Sequence, residues 1–457
     1  MSNQSILRIS RELCEIQKGS DLCTSCRAHI RLVALLTAFL ALAVACRDSD
    51  VRSVRALIIG PPDTPYEFGF FEFAVRFSRE YPTKAPSVQC ITTNSGRTRF
   101  NPNIYAQGKV CLSILGTWRG EPGEEWSSAQ GLESILISIQ SLMSPDPYEN
   151  EPGFEDANSD YDKKLKLAYT TKIHHETIRV SVCERLEDYY KIASGDKKSV
   201  TRYNPEEDYN ATEEPFEPFQ DLCKRRFLWY YDSYVESIYR RKDKYKEGAK
   251  FEKMPFEGPG NEMSGNFQYE KLLQRLKVIR DAVEKETLSW VKEGADATSR
   301  ELSIANNLQR QYEQVLEHFK RHDSMHLDLE LVNKNPFVWQ FVFFGAPMSN
   351  LDGGMFRITV YISPRFPDVQ PRVKVETPLF HQRVSKDGVL CYVAKRPDDL
   401  RSHIEAVIEA IQEEHPAYDP RTLVNPEASR LFWGSPEDKK LYNRKLRRSV
   451  QDSAEFC

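Results

Sequence analysis

The chain has 457 residues, enough for two or three domains that each bury a core of their own. Its 63 Lys and Arg stand against 67 Asp and Glu, a formal charge of −4, so there is no basic stripe of the kind a nucleic-acid-binding protein needs. Ten cysteines scattered over this length exclude a small disulfide scaffold and point to a reducing compartment, the cytoplasm or the nucleus.

Ile6, Leu7, Ile9, Leu13 and Ile16 recur at helical spacing, with charges between them, and predict an amphipathic helix over 6–18. Cys23 and Cys26 bracket two small polar residues, but no second pair of ligands follows at suitable spacing, so no metal is expected. Leu32 to Cys46 carries no charge. As a helix it would rise about 22 Å, short of the roughly 30 Å hydrocarbon core. It reads as a buried helix or an irregular segment, and no membrane partner is expected.

From Ala56 the signals sharpen. Ala56 to Ile59 reads as a strand, Gly60-Pro61-Pro62-Asp63-Thr64-Pro65-Tyr66 as a turn, and Phe70 to Phe77 as the returning strand. Tyr81-Pro82 and Pro86 mark a loop, and Val88 to Ile91 a further strand. Asn101-Pro102-Asn103 is turn chemistry, because proline fixes its own φ and asparagine amides bond locally. Gly108 adds a second bend, and Val110, Leu112, Ile114 and Leu115 clamp the backbone around Cys111. A free cysteine is most often just a small buried hydrophobe. Here one thiol is fixed behind a rigid turn, which is the setting of a nucleophile. Leu132, Ile135, Leu136, Ile139, Leu142 and Met143 then line one face of a helix that Pro145 ends, before an acidic turn over 146–154.

These motifs resemble those of ubiquitin-conjugating enzymes, whose signature is normally His-Pro-Asn with a cysteine eight residues after the asparagine; Asn103 and Cys111 keep that spacing. The turn at 60–66, the loop at 81–86 and Trp126-Ser127-Ser128-Ala129 are similar to the family's Gly-Pro, Tyr-Pro and Trp-Ser-Pro-Ala segments, with Ser128 in place of proline. Leu115-Gly116-Thr117-Trp118, His175-Glu176-Thr177-Ile178 and Arg179 to Cys183 look like the C-terminally extended Z type. The resemblance implies that Cys111 accepts ubiquitin or a ubiquitin-like modifier as a thioester from an activating enzyme. The modifier then passes to a lysine of a protein substrate, usually with a ubiquitin ligase. Asn103 would support the oxyanion or hold the loop, and Glu149 or Asn150 would gate the thiol. No cofactor is implied, since ATP is used by the activating enzyme.

The acidic stretch from Glu184 to Phe219 reads as a surface insertion. Leu222 to Lys246 and Phe267 to Val291 follow as helices split by Gly258-Pro259-Gly260. The first is rich in Tyr and Arg, and such residues at helical spacing are more often core than an RNA-stacking face. The chain then repeats itself. Gly345-Ala346-Pro347, Gly354, Phe366-Pro367 and Pro371 stand at the mutual spacing of Gly60-Pro61-Pro62, Gly69, Tyr81-Pro82 and Pro86. A helix over 308–319 precedes them. His381-Gln382-Arg383, Gly388 and Cys391 follow in register with the first turn, then a helix over 400–411 and Asn425-Pro426, similar to the start of the family's terminal helices. Arg383 replaces the asparagine and no tryptophan follows closely, so Cys391 reads as a degraded or specialised second acceptor. His318, His322 and His326 are four apart, yet lack a matching carboxylate or cysteine and are not expected to bind metal.

The expected fold class is α+β: two ubiquitin-conjugating-type folds in tandem, each an antiparallel sheet flanked by helices. Residues 1–183 are read as the first fold, 184–298 as insertion and helical extension, and 299–457 as the divergent second fold. Two rivals stand beside a conjugating enzyme. A cysteine protease would need His174 or His175 brought to the thiol, and a non-catalytic ubiquitin-binding scaffold would have no chemical need of Cys111 and Asn103.

Overall fold

The computed structural model describes residues 2–18, 30–35, 42–120, 123–192, 216–258, 262–321 and 327–456. Cys23, Cys26, His322, His326 and most of the acidic insertion lie outside them. Two compact units emerge. Of the described residues, those within Met1–Ser20, Arg27–Cys223 and Ser237–Ile279 make the first, and those within Lys224–Glu236 and Arg280–Cys457 the second.

The first unit opens with helix α1 (Ser2–Lys18) and a five-stranded antiparallel meander: β1 (Ile30–Leu35), β2 (Leu42–Arg47), β3 (Asp50–Ile59), β4 (Phe70–Arg76) and β5 (Ser87–Cys90). The uncharged run from Leu32 to Cys46 is therefore neither helix nor irregular throughout. It supplies most of two paired strands, Leu32 opposite Ala45 and Val33 opposite Val44. Its lack of alternation has a physical cause: in β2 Ala43 and Ala45 are as buried as Leu42, Val44 and Cys46, so both faces demand apolar side chains.

Val54, Ala56 and Ile58 of β3 and Phe71, Phe73 and Val75 of β4 point into one core, joined by Ile9 and Leu13 of α1 and by Leu132, Ile135, Leu136 and Ile139 of α2 (Leu132–Ser141). Each phenylalanine buried there contributes about 1.5–3 kcal/mol. The opposite face of the sheet is covered too. Helix α3 (Asp160–Glu176) runs through a π-helical segment, Thr177–Glu184, into α4 (Arg185–Tyr190). Arg185 donates to Glu72 at 2.6 Å and to the Thr92 hydroxyl at 3.1 Å, and Arg47 lies 4.9 Å from the Phe216 ring.

Helix α5 (Gln220–Lys242) contributes residues 224–236 to the second unit, as does the later part of α6 (Tyr269–Ser299). Helix α7 (Ser303–Arg321) and a four-stranded meander follow: β6 (Leu327–Leu331), β7 (Val338–Phe344), β8 (Met355–Tyr361) and β9 (Arg372–Val375). Trp339, Phe341 and Phe343 of β7 pack with Phe356, Ile358 and Val360 of β8 against α8 (Leu400–Gln412), α9 (Pro426–Trp433) and α10 (Pro436–Phe456). The repeat read from the sequence is thus a repeat of structure. Among the described residues no helix is long and apolar enough to cross a membrane, and no cluster of three His, Cys, Asp or Glu could hold a metal ion.

Candidate active site

The thiol-bearing turn is built from main-chain bonds and four side-chain amides or hydroxyls. After β5 the chain folds back so that the Cys111 N–H donates to the Asn103 carbonyl at 2.8 Å. Gly108 sits at φ +89°, where a side chain's Cβ would lie 2.4 Å from the Cys90 carbonyl oxygen, so only glycine fits. The Asn103 side chain closes the ring, its Nδ2 donating to the Cys111 carbonyl at 3.1 Å. Behind it, fully buried Asn101 accepts from the Asn103 N–H at 2.9 Å and donates to the Leu142 carbonyl at 2.8 Å and to the Tyr66 hydroxyl at 3.1 Å. Tyr66 in turn donates to the Phe100 carbonyl at 2.7 Å, and burial pushes its hydroxyl well above its ordinary range, keeping it a donor.

Sequence reasoning missed three contributors. Thr117 of the Leu-Gly-Thr-Trp motif donates to the Val110 carbonyl at 2.7 Å and accepts from the Leu112 N–H at 3.0 Å, pinning the residues on both sides of Cys111. The Tyr105 phenol neighbours the Cys111 sulfur, and burial, then that sulfur, push its pKa up. Arg99 stacks 4.8 Å from the Tyr105 ring, donates to the Pro102 carbonyl at 2.6 Å and pairs with Glu151 at 3.0 Å. Only the motif position of Thr117 was visible as a signal, because the partners of Arg99 and Tyr105 are set by tertiary folding.

The two gate candidates have partners in the scaffold. Glu149 pairs with Lys166, and the Asn150 amide donates to the Leu142 carbonyl at 3.0 Å. Glu151, one residue on, is the acidic group tied to the thiol's turn through Arg99. Of the two imidazoles a protease would draw on, that of His175 is occupied as well. His175 Nε2 accepts from the Gln268 N–H at 3.0 Å and its Nδ1 lies 3.1 Å from Glu176, amid Phe251, Phe267 and Tyr269. Burial, then the charge of Arg241, hold His174 well below its usual range, so it stays neutral.

The second unit repeats the turn with different chemistry. The Cys391 N–H donates to the Arg383 carbonyl at 2.9 Å, and His381 Nδ1 accepts from the Arg383 N–H at 3.2 Å, as Asn101 does for Asn103. The Arg383 guanidinium, however, reaches Glu413 at 2.8 Å. Asn103's amide bond to the cysteine carbonyl has no counterpart from that side chain.

An antiparallel meander flanked by helices, with a cysteine set behind an Asn-Pro-Asn turn, defines a ubiquitin-conjugating fold. The family model for ubiquitin-conjugating enzyme matches residues 38–177 and again 307–450, more than half of the chain, and the chain belongs to this family. Within it the first half is similar to the Z type. The chain is 41% identical over 234 residues to human ubiquitin-conjugating enzyme E2 Z, covering 51% of this chain and 56% of that protein. It is 37% identical over 282 residues to the Xenopus tropicalis E2 Z, covering 62% and 73%. The chain thus spans little more than half the length of the human relative. A solved Toxoplasma gondii ubiquitin conjugating enzyme domain aligns with 36% of this chain and 94% of its own at 25% identity, with a TM-score of 0.24.

Proposed function

We propose that the first fold is a working ubiquitin-conjugating enzyme with Cys111 as its acceptor. The Cys111 thiolate attacks the thioester carbonyl that links the modifier to an activating enzyme, a new C–S bond forms, and the activating enzyme's thiol leaves. A substrate lysine amine then attacks the same carbonyl. The C–N bond forms, the C–S bond to Cys111 breaks, and the amine's proton passes to solvent. Asn103 holds the cysteine loop in place for both steps or supports directly the oxyanion that builds in between. ATP is used only upstream, by the activating enzyme. The partners are ubiquitin or a ubiquitin-like modifier, the activating enzyme, a ubiquitin ligase and protein substrates, and a free nucleophilic thiol suits the cytoplasm or nucleus.

One observation supports this reading: the Asn103 side chain donates to the Cys111 carbonyl, a bond that Arg383, turned to Glu413, does not make in the second fold. The test is a charging assay with purified chain, activating enzyme, ATP and ubiquitin on a non-reducing gel. A thiol-sensitive adduct is expected for wild type and Cys391→Ala and none for Cys111→Ala. A wild-type chain that no activating enzyme charges would leave the scaffold reading in its place.

A further inference from the structure

The two cysteine turns share their backbone. Gly108 and Gly388 have φ of +89° and +83°, and each cysteine N–H donates to the carbonyl eight residues earlier. What lies against the second turn is a piece of α5. Residues 224–236 belong to the second unit, and along them Arg226, Phe227, Trp229, Tyr230 and Tyr234 are buried, Tyr230 completely. Their neighbours trace the cysteine face of the fold. Arg226 and Tyr230 lie in the electrostatic surroundings of Cys391, and Tyr230 also in those of Asp419 and Arg421. The Lys386 main-chain N–H faces the Asp232 carboxylate, and Glu236 pairs with Arg430 of α9. Arg280 fastens the same edge, 2.8 Å from Asp387 and 4.7 Å from the Tyr231 ring. Arg226 and Tyr230 stand four apart, as do Asp232 and Glu236, so two neighbouring rows of the helix meet the second fold, the first at the cysteine and the 419–421 segment, the other at Lys386 and α9.

We infer that the cysteine face of the second fold is an intramolecular receptor for α5, and that Cys391 is a sealed structural thiol and not a second modifier acceptor. A modifier can reach the thiol only where it is open, and Cys391 is buried, with Arg226 and Tyr230 of α5 in its surroundings. Burial pushes the Cys391 thiol up to about 11 in spite of Arg226 and Arg383, so it carries little nucleophilic thiolate at neutral pH. The Tyr- and Arg-rich stripe of α5 thereby acquires a use: it is the ligand of the second fold.

The experiment is alkylation of the full-length chain by N-ethylmaleimide, read cysteine by cysteine through peptide mass spectrometry, which does not depend on any conjugating activity. Cys391 is expected to react at least about 100-fold more slowly in the folded chain than in urea, as protection by a rarely opened element requires. Tyr230→Ala is expected to raise its rate about 10-fold or more with Cys111 unchanged. Because that change removes a fully buried ring, Glu236→Arg at the partly exposed ion pair is run beside it. It should speed Cys391 several-fold, and Glu236→Arg with Arg430→Glu should restore protection. The inference is overturned if wild-type Cys391 reacts nearly as fast as in urea. It is equally overturned if folded helix variants leave its rate unchanged, or if a Cys111→Ala chain forms a thioester on Cys391.

Discussion

Asn101 occupies the position where the family normally writes histidine, and its replacement tests how the turn is held. In Asn101→Ala three hydrogen bonds disappear, but they do not cost the same. Leu142's carbonyl still accepts from Asn150, and the Tyr66 hydroxyl still donates to Phe100, so those two losses are worth about 0.5–1.5 kcal/mol each. The Asn103 N–H is left in a buried turn without its acceptor, at about 1–3 kcal/mol. The first unit should therefore lose roughly 2–6 kcal/mol, read as a lower urea midpoint, with thioester formation on Cys111 slowed in parallel. Asn101→His should recover most of both, because an imidazole in this position already accepts the equivalent N–H in the second unit, from Arg383 to His381. An Asn101→Ala chain that unfolds at the wild-type midpoint, or an Asn101→His chain no better than alanine, would refute the reasoning.

Asn103→Ala removes the amide but not the main-chain bond from Cys111, so charging should persist while discharge to free lysine slows by about 10²-fold in single-turnover assays. His381 is held down to about 3 by burial and then by the charge of Arg383. The unfolded chain takes up a proton near pH 6.5 that the folded one refuses until about 3, so stability is lost as pH falls through that window, at up to about 1.4 kcal/mol per pH unit. His381→Asn should reduce this acid limb in a series of urea midpoints from pH 7 to 4, leaving the contributions of His403, itself lowered to about 4 by burial, and of His174 in the first unit. Buried Glu12 accepts from the Tyr81 hydroxyl at 2.7 Å and from the Leu132 N–H at 3.0 Å, fastening α1 to the start of α2. Glu12→Ala should destabilise the first unit by about 2–5 kcal/mol and Glu12→Gln by clearly less, measured by thermal unfolding.

Much of this architecture was legible before the structure. Turns announce themselves through residues whose backbone limits are intrinsic, so Asn101-Pro102-Asn103, Gly108 and their counterparts around Gly388 placed the cysteines and exposed the repeat. Two-sided burial hid β2, since a strand without a polar face loses its period of two. Long-range pairings were equally invisible: nothing local in Arg99 names Glu151 as its partner, and nothing in Tyr230 shows that its ring ends beside Cys391. The acidic turn at 146–154 drew attention to Glu149 and Asn150, but neighbours distant in sequence, Lys166 and the Leu142 carbonyl, decide where those side chains go.

The doubly covered first sheet has a practical consequence for dissecting the protein. Leu57, Ile59 and Phe70 face away from the main core yet are fully shielded, and Gly69 lies so close to the π-helical segment that a methyl group there would meet Ser181 Oγ at 2.5 Å. A chain truncated after Cys183 would lose Arg185, leaving Glu72 a buried carboxylate without its main cation beside newly wetted leucine, isoleucine and phenylalanine. The first fold is therefore not a detachable cartridge: the cover for its second sheet face is supplied by residues beyond the limits at which its motifs end.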